Sequence, residues 1–237
     1  GTAAGLYGAR AAVIGGCFAT SNVLAGKMFD IPVRGTHAHS WVMSFEDELT
    51  AFRKYAEIFP DNCILLADTF DTLHSGVPNA IKVFSELREK GELSDGYGIR
   101  IDSGDFAYIS EKARETLDNA GFNDAVICAS SDLDEYIIAS LKQQETKINV
   151  WGVGTNLITS KDCPAFGGVY KLSAKEKDGK LLPKIKISEN PNKITNPGIK
   201  KVLRLYDKST KKIKADLIAL EHEMINEGKD LTIFSPL

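Results

Sequence analysis

The stretch Gly98–Ser110, GIRIDSGDFAYIS, shows the structural unit that recurs along the chain. A short apolar run, Gly98–Ile101, ends at a polar turn, and a helical pattern follows over Ala107–Ala120. Short apolar runs bounded by turn residues are typical of buried strands, whereas apolar residues spaced three and four positions apart are typical of helices. The stretch therefore predicts a strand, a polar turn and a helix, in that order.

The same order of strand and helix is repeated on both sides of this stretch. Further strands are predicted at Ile31–Thr36, Cys63–Ala67, Ala125–Ala129, Ile148–Trp151 and Gly168–Leu172. Further helices are predicted at Phe45–Phe59, Gly76–Lys90 and Leu133–Gln143, after two small-residue helices at Ala3–Gly16 and Ser21–Lys27. Consecutive strand–helix units build parallel sheets. The predicted fold class is therefore α/β with short parallel strands, as in a barrel or a doubly wound sheet.

The character of the sequence changes near residue 173. Lysine-rich polar segments follow, and the runs Val202–Tyr206 and Ile213–Leu220 lie on either side of the polar stretch DKSTKK. Two such runs separated by turn-forming residues predict an antiparallel hairpin. We therefore expect an α/β domain over residues 1–172 and a β-rich segment of a second domain over residues 173–237.

Composition excludes several classes of protein. The chain has 237 residues, of which 43% are hydrophobic and 26% charged, and its net charge of −3 predicts no surface for nucleic acid or anionic membranes. The four cysteines are widely scattered, which is typical of free thiols in a reducing compartment and matches no zinc spacing. Without a signal peptide or a membrane-spanning run, the expectation is a cytoplasmic protein. Its first residue, Gly1, and its apolar end at Leu237 lead us to expect a fragment.

Polar or glycine-rich residues follow nearly every predicted strand. They form the stretches THAHS (36–40), ADTFDT (67–72), RIDSGD (100–105), ASSDLD (129–134) and GVGTN (152–156). The carboxyl ends of parallel strands meet at one edge of a sheet or one mouth of a barrel, where active sites are built. Five such loops therefore predict a single pocket.

Two histidines lie in the first of these loops. His39 can serve as an acid, a base or a nucleophile that accepts a phosphoryl group, and a packed structural histidine is the alternative. We expect His37 to project in the same direction if the strand continues through both residues, although no metal-binding spacing supports a shared ion. Asp68 can orient the imidazole and stabilise its cation. Its alternative role, capping a helix, suits Asp71 better.

The third loop combines an arginine and an acid. Arg100 and Asp102 alternate along the strand and should face the same side. Arg100 can clamp a carboxylate or a phosphate, and Asp102 can accept hydrogen bonds from ribose hydroxyls or bind Mg²⁺. Gly104 belongs to the turn that leads to the next helix. A structural ion pair followed by a helix cap is the alternative.

The last two loops can bind phosphate. Gly152, Gly154 and Thr155 offer backbone N–H groups and a hydroxyl, yet they complete neither the dinucleotide-binding nor the P-loop motif. Asp132 lies before a predicted helix, where it can contact phosphate or ribose or can cap the helix. An arginine, a magnesium-binding acid, a glycine loop and a histidine together suit a phosphorylated sugar, which leaves the histidine for a phosphoryl or proton step.

Several separated motifs resemble those of the nicotinate phosphoribosyltransferase family. They are YGARAAVIGGCFATSNVLAG (7–26), GTHAHSW (35–41), DTFDTL (68–73), GIRIDSGDFAYIS (98–110), residues 149–159 and KITNPGIKK (193–201). The resemblance implies a type II phosphoribosyltransferase with an irregular (β/α) barrel of parallel strands, and a C-terminal β-rich segment belonging to a second domain. It also implies a homodimer.

The reaction implied by the resemblance joins nicotinate to 5-phosphoribosyl 1-diphosphate and releases nicotinate mononucleotide and diphosphate. Mg²⁺ takes part, and ATP hydrolysis is coupled through a phosphohistidine. The phosphohistidine falls on His39, with Asp68 beside it. The resemblance places nicotinate at Thr36 and Arg100, ribose at Asp102 and Gly104, and phosphate at Gly152, Gly154 and Thr155.

Two departures from the family pattern affect these expectations. The family's Phe-Gly-x-Arg-Arg segment and its N-terminal tyrosine have no counterpart in this sequence, so we expect the isolated chain to be inactive. The alternatives are a nicotinamide phosphoribosyltransferase and a noncatalytic ligand-binding barrel. Ser21 and Asn22 stand where the nicotinamide-specific relatives have an acid, which favours a carboxylate substrate.

Overall fold

The structure is a computed structural model that describes residues 1–165, 170–185 and 196–225. It contains two compact units, Gly1–Ala165 and Phe166–Leu237. This division lies close to the boundary predicted near residue 173, and the domain limits 1–172 and 173–237 stay a prediction. Within the described residues, no helix has the length and apolar character needed to cross a membrane.

The first unit alternates helices with short strands. Its helices are α1 (Thr2–Ile14), α2 (Val23–Phe29), α3 (His39–Met43), α4 (Glu48–Ile58), α5 (Val77–Lys90), α6 (Phe106–Asn119), α7 (Glu135–Gln143) and α8 (Thr155–Ile158). Its strands are β1 (Cys63–Leu66), β2 (Tyr97–Ile101), β3 (Val126–Ser130) and β4 (Val150–Gly152). A 3₁₀ turn, Pro60–Asn62, precedes β1, and a π-helical turn, Thr72–Gly76, leads into α5.

The four strands form one parallel sheet in the order β1-β2-β3-β4. The register aligns Leu66 with Arg100, Arg100 with Cys128, and Cys128 with Val150. The predicted α/β class and the parallel sheet are therefore confirmed. Closure of the sheet into a barrel stays a prediction.

Strand β2 shows how the sheet separates its core from its site. Ile99 and Ile101 are fully buried in the hydrophobic core, which also contains buried side chains of α4, α5 and α6. Successive residues of a strand point to opposite faces, so Arg100 and Asp102 share the other face. The stretch that predicts the fold therefore places hydrophobic residues on one side and polar groups on the other.

One predicted strand is wrong. Residues 31–36 form no strand, and Val33 makes only a single parallel bridge with Thr20. Pro32 has no backbone N–H to contribute to a strand ladder. The edge of β1 is instead contacted by a side chain, because the His37 Nε2 atom accepts a hydrogen bond from the backbone N–H of Leu66 at 3.1 Å.

Other predicted elements differ at their ends. Helix α4 begins at Glu48 rather than Phe45 because the Asp47 side chain caps it through the N–H of Thr50. The strand predicted at Gly168–Leu172 lies partly outside the described residues, and residues 170–172 are irregular. The remaining helices and strands of the first unit lie within a few residues of their predicted positions.

The described part of the second unit consists of two hairpins. Strands β5 (Ala174–Lys177) and β6 (Lys180–Pro183) form one, and β7 (Lys200–Tyr206) and β8 (Ile213–Leu220) form the other. The hairpin predicted from the alternating runs on either side of DKSTKK is therefore confirmed. Asp207 begins its turn by accepting hydrogen bonds from the N–H groups of Ser209 and Thr210.

Gly98 allows β2 to approach β3. A Cβ atom at this position would lie 2.1 Å from the carbonyl oxygen of Val126, and backbone cannot move aside without disturbing the ladder. We predict that Gly98→Ala lowers the free energy of unfolding by about 1–3 kcal/mol, measured by urea denaturation of the full-length polypeptide that carries this sequence. Gly35→Ala is the control, because its Cβ would meet nothing within 4 Å. Equal losses in the two variants would contradict this account of the strand contact.

Candidate active site

An imidazole and two carboxylates meet at the carboxyl edge of the sheet. His39 is the first residue of α3, Asp68 follows β1 and Asp102 follows β2. The Nε2 atom of His39 lies 3.9 Å from Asp68 Oδ1 and 3.8 Å from Asp102 Oδ2. The structure thus brings His39 to Asp68, as the loop pattern predicts, and adds Asp102 on the same ring nitrogen.

The Asp68 carboxylate is buried and held in place. Its side chain is 2% exposed, and Oδ2 accepts hydrogen bonds from the backbone N–H of Asp102 at 2.9 Å and from Ser103 Oγ at 2.5 Å. Oδ1, the oxygen nearer His39, has no hydrogen-bond partner among the described residues. A buried acceptor without a partner is costly, so this oxygen is well placed to attract a proton carried by the imidazole.

The Asp102 carboxylate is more open. Its side chain is 32% exposed, Oδ1 accepts a hydrogen bond from the Ser130 hydroxyl, and Oδ2 faces His39. Ser130 ends β3 and pairs with Gly152 in the sheet register. The polar groups at the ends of β1, β2 and β3 therefore form one connected network, and the glycine loop begins beside it.

Thr69 is a contact of His39 that the sequence did not reveal. Its Oγ1 atom lies 3.1 Å from His39 Nδ1, so neighbouring residues of one loop contact both ring nitrogens. Asp71 in the same loop accepts hydrogen bonds from the N–H groups of Leu73 and His74 and is therefore a cap, as its alternative role predicted. No sequence signal distinguishes the hydroxyl of Thr69 from that of Thr72.

Arg100 and Thr36 also lie together. Arg100 Nη1 donates to Thr36 Oγ1 at 3.0 Å, and the Thr36 hydroxyl donates to the carbonyl oxygen of His37 at 3.0 Å. The Nε–H of Arg100 is buried without a partner among the described residues. Within that part of the chain no salt bridge joins Arg100 to Asp102, so the structural ion pair considered as an alternative does not form. The guanidinium keeps donors that suit a carboxylate or a phosphate.

The expectation for His37 is wrong. The chain turns at Ala38 to begin α3, so the two histidines do not follow one strand and do not project together. His37 is buried, and its ring packs edge-on against Tyr55 with centroids 4.6 Å apart. Burial lowers the pKa of His37 to about 4. A neutral ring that accepts the Leu66 N–H at Nε2 has a structural role at the edge of the sheet.

The two phosphate-binding candidates lie together. Gly152 ends β4, and Thr155 begins α8 directly after Gly154, where an added Cβ would meet nothing within 4 Å. The side-chain amide of Asn156 donates to the carbonyl oxygen of Asp132 at 2.8 Å and so joins the β3 loop to this glycine loop. No local pattern in the sequence distinguishes Asn156 from its neighbours in this loop.

Two of these loops contain residues with positive φ angles. Ser131 and Asp132 have φ values of 88° and 41°, a region that non-glycine residues rarely adopt. Such strain is concentrated at functional sites. Gly104 has a φ of 86° in the turn between β2 and α6, where glycine relieves the same constraint.

A cavity of about 570 Å³ lies beside residues 33–38. Its lining includes Thr36, His37, Trp41 and Tyr55, and among the predicted site residues only Thr36 contributes to it. The cavity is therefore distinct from the cluster of His39 with the two carboxylates.

The fold and these side chains define an α/β protein with a candidate site for an anionic ligand at the carboxyl edge of a parallel sheet. Residues 7–215 match the model of the Nicotinate phosphoribosyltransferase (NAPRTase) family. Residues 199–237 match the model of the Nicotinate phosphoribosyltransferase C-terminal domain. The chain belongs to the nicotinate phosphoribosyltransferase family.

Individual relatives agree with this assignment. The chain is 56% identical to a nicotinate phosphoribosyltransferase of Bacillus subtilis over 234 residues, which are 99% of the chain and 47% of the relative. It is 37% identical to one of Caenorhabditis elegans, covering 92% of the chain and 48% of the relative. The crystal structure of human nicotinic acid phosphoribosyltransferase is similar with a TM-score of 0.64 and 26% identity, over 94% of this chain and 50% of that one. The chain thus spans about half the length of the curated relatives it matches.

The buried His37 makes stability depend on pH. Its folded-state pKa of about 4 lies below the ordinary value of 6.5, so the unfolded chain binds the proton more readily. We predict that the free energy of unfolding falls as pH decreases from 6.5 to about 4, by up to about 1.4 kcal/mol per pH unit from this residue.

The matched variant is His37→Gln, which keeps an acceptor for the Leu66 N–H but does not titrate. Urea denaturation at several pH values should show a smaller slope in this variant over the same range. An identical slope in the variant and the unaltered protein would mean that His37 does not titrate as its burial requires.

Proposed function

We propose that this chain carries the nicotinate- and phosphoribosyl-binding site of an enzyme of NAD biosynthesis. The enzyme transfers the phosphoribosyl group of 5-phosphoribosyl 1-diphosphate to nicotinate and gives nicotinate mononucleotide and diphosphate. The observation that carries the proposal is the meeting of His39, Asp68 and Asp102 at the carboxyl edge of the sheet. The family match over residues 7–215 supports the same reaction.

His39 is the proposed phosphoryl acceptor. Two carboxylates face its Nε2 atom, which favours a proton on that nitrogen and leaves a lone pair on Nδ1. An imidazole in this state is a nucleophile that can take the γ-phosphoryl group of ATP. Phosphorylation would add negative charge beside Asp102, so ATP hydrolysis can bias the binding of the anionic substrate and the release of product.

Arg100 is the proposed partner of the nicotinate carboxylate. Its guanidinium is positioned by Thr36, and its buried Nε–H donor has no partner in the part of the chain that the structure describes. Charge-assisted hydrogen bonds to a carboxylate are stronger than those to a neutral carboxamide. Asn22 caps α2 by accepting the N–H of Ala25, so this position offers no acid to a carboxamide. These contacts favour nicotinate over nicotinamide.

The phosphoribosyl part of the substrate would lie across the other loops. We propose that Asp102 and Gly104 contact the ribose. The phosphate would bind Asp132 and the glycine loop, Gly152–Thr155. Backbone N–H groups near Gly154 are approachable because nothing lies where a side chain would be.

The residues present fit Mg²⁺ only in part. Among the described residues, no group of three or more His, Cys, Asp or Glu side chains is placed to hold a metal ion. Mg²⁺ commonly takes one or two carboxylates and completes its shell with water and substrate phosphate oxygens. Water and substrate phosphate oxygens would therefore supply most of such a shell, and Mg²⁺ would neutralise charge on the diphosphate.

The phosphohistidine is tested by incubating the full-length polypeptide with ATP labelled at the γ-phosphate. We expect an acid-labile label on the unaltered protein and its loss in His39→Ala. The matched control is His74→Ala, since His74 is 86% exposed and forms an exposed pair with Asp71. Equal labelling of the His39 and His74 variants, or no label on the unaltered protein, would reject the phosphohistidine.

Substrate choice is tested by steady-state kinetics with nicotinate and nicotinamide. We predict at least a tenfold preference for nicotinate in kcat/KM, equivalent to about 1.4 kcal/mol. Arg100→Gln should lower kcat/KM for nicotinate by about 10- to 100-fold, because it removes a charge-assisted contact. Arg53→Gln is the control, since Arg53 forms an exposed pair with Glu86. A preference for nicotinamide would identify the alternative enzyme.

A further inference from the structure

The dipeptide Asp68–Thr69 contacts both nitrogens of the same imidazole. Asp68 Oδ1 lies 3.9 Å from His39 Nε2, and Thr69 Oγ1 lies 3.1 Å from His39 Nδ1. Phosphoryl transfer to histidine needs one nitrogen with a free lone pair and the other with a proton. Asp68 and Thr69 can therefore determine which ring nitrogen carries the proton and which has the free lone pair.

The electrostatics of the cluster select one tautomer. Both carboxylates face Nε2, and the buried Asp68 cannot turn away because the Asp102 N–H and the Ser103 hydroxyl hold its other oxygen. A proton on Nε2 lies between two anions, whereas a proton on Nδ1 would leave a lone pair facing them. With Nε2 protonated, Nδ1 must accept, and the Thr69 hydroxyl is the donor within reach.

We propose that Thr69 is a positioning residue that holds the His39 ring in one rotamer and one tautomer, with Nδ1 as the nitrogen that receives the phosphoryl group. This inference rests on the proposed phosphohistidine. In the step, the Thr69 hydroxyl first releases its hydrogen bond to Nδ1, and the freed Nδ1 lone pair then forms a bond to the γ-phosphorus of ATP. The bond between that phosphorus and the β,γ-bridging oxygen breaks, and ADP leaves with the electron pair. The proton on Nε2 stays there, facing Asp68 and Asp102.

The loop around Thr69 is held by contacts other than its hydroxyl. Asp68 is anchored by Asp102 and Ser103 on one side, and Asp71 caps the following turn on the other. Among the described residues, the Thr69 hydroxyl has a hydrogen bond only to His39. Thr69→Val removes that hydroxyl at nearly constant volume, so the variant should fold and lose only the contact to the ring.

The experiment uses the full-length polypeptide with three substitutions. Thr69→Val removes the hydroxyl, Thr69→Ser keeps it, and Thr72→Val removes a hydroxyl of the same loop three residues away. The first measurement is the initial rate of labelling from γ-labelled ATP. The second is NMR of protein with ¹⁵N-labelled histidine, which shows the tautomer of free His39 and the nitrogen bonded to phosphorus.

We expect Thr69→Val to be labelled about tenfold more slowly, as the loss of one hydrogen bond in the aligned state implies, while Thr69→Ser and Thr72→Val stay within about twofold of the unaltered protein. The unaltered protein should show a bare Nδ1 before reaction and phosphorus on Nδ1 afterwards, and Thr69→Val should show a mixture of tautomers.

Three results would overturn the inference. The first is a Thr69→Val variant whose labelling rate and His39 tautomer equal those of the unaltered protein. The second is a Thr72→Val variant that is labelled as slowly as Thr69→Val, which would indicate a general disturbance of the loop. The third is phosphorus on Nε2 in the unaltered protein. In each case a label on His39 leaves the proposed phosphohistidine standing, whereas a complete lack of label on the unaltered protein removes both the phosphohistidine and the role of Thr69.

Discussion

The Asp68 carboxylate ties together the ends of two strands, and the arrangement of the site depends on it. One of its oxygens accepts the backbone N–H of Asp102 and the hydroxyl of Ser103, so the loop after β1 is joined to the loop after β2. Its other oxygen is buried, unpaired among the described residues, and directed at His39. A carboxylate that is already immobilised before a ligand arrives loses little entropy in orienting the imidazole.

The parallel register of the sheet brings further polar side chains next to Asp68 and His39. Alternate residues of neighbouring strands share one face of the sheet, so Arg100 on β2 stands beside Cys128 on β3, and Asp102, which directly follows β2, lies near Ser130 at the end of β3. The hydrogen bond from Ser130 to Asp102 continues the network across the edge. The core residues on the opposite face keep the strands at fixed spacing, and the strands in turn fix the positions of the loop residues that follow them.

Much of this arrangement could be predicted from the sequence because it follows from short-range patterns. Apolar runs and helical periodicity locate β1 to β4 and α4 to α7, and the polar residues after β1 and β2 predict that Asp68 and Asp102 lie at one edge of the sheet. The failures are long-range contacts between a side chain and another segment. The sequence predicts a strand at Ile31–Thr36, whereas the His37 imidazole meets the edge of β1 instead. The contacts of Thr69 and Asn156 leave no local pattern, because they reach residues 30 and 24 positions away in the sequence.

The substitution Asp68→Asn separates the charge of this carboxylate from its shape in the proposed transfer of a phosphoryl group to His39. Asparagine keeps the shape of the side chain and an oxygen for the Asp102 N–H, but it removes the charge that favours a proton on Nε2. The decisive measurement is the single-turnover rate of phosphohistidine formation from labelled ATP in the full-length polypeptide. We expect a decrease of about 100-fold, in line with the loss of an oriented charge beside a reacting imidazole. A rate equal to that of the unaltered protein would mean that the charge of Asp68 does not prepare His39 for the reaction.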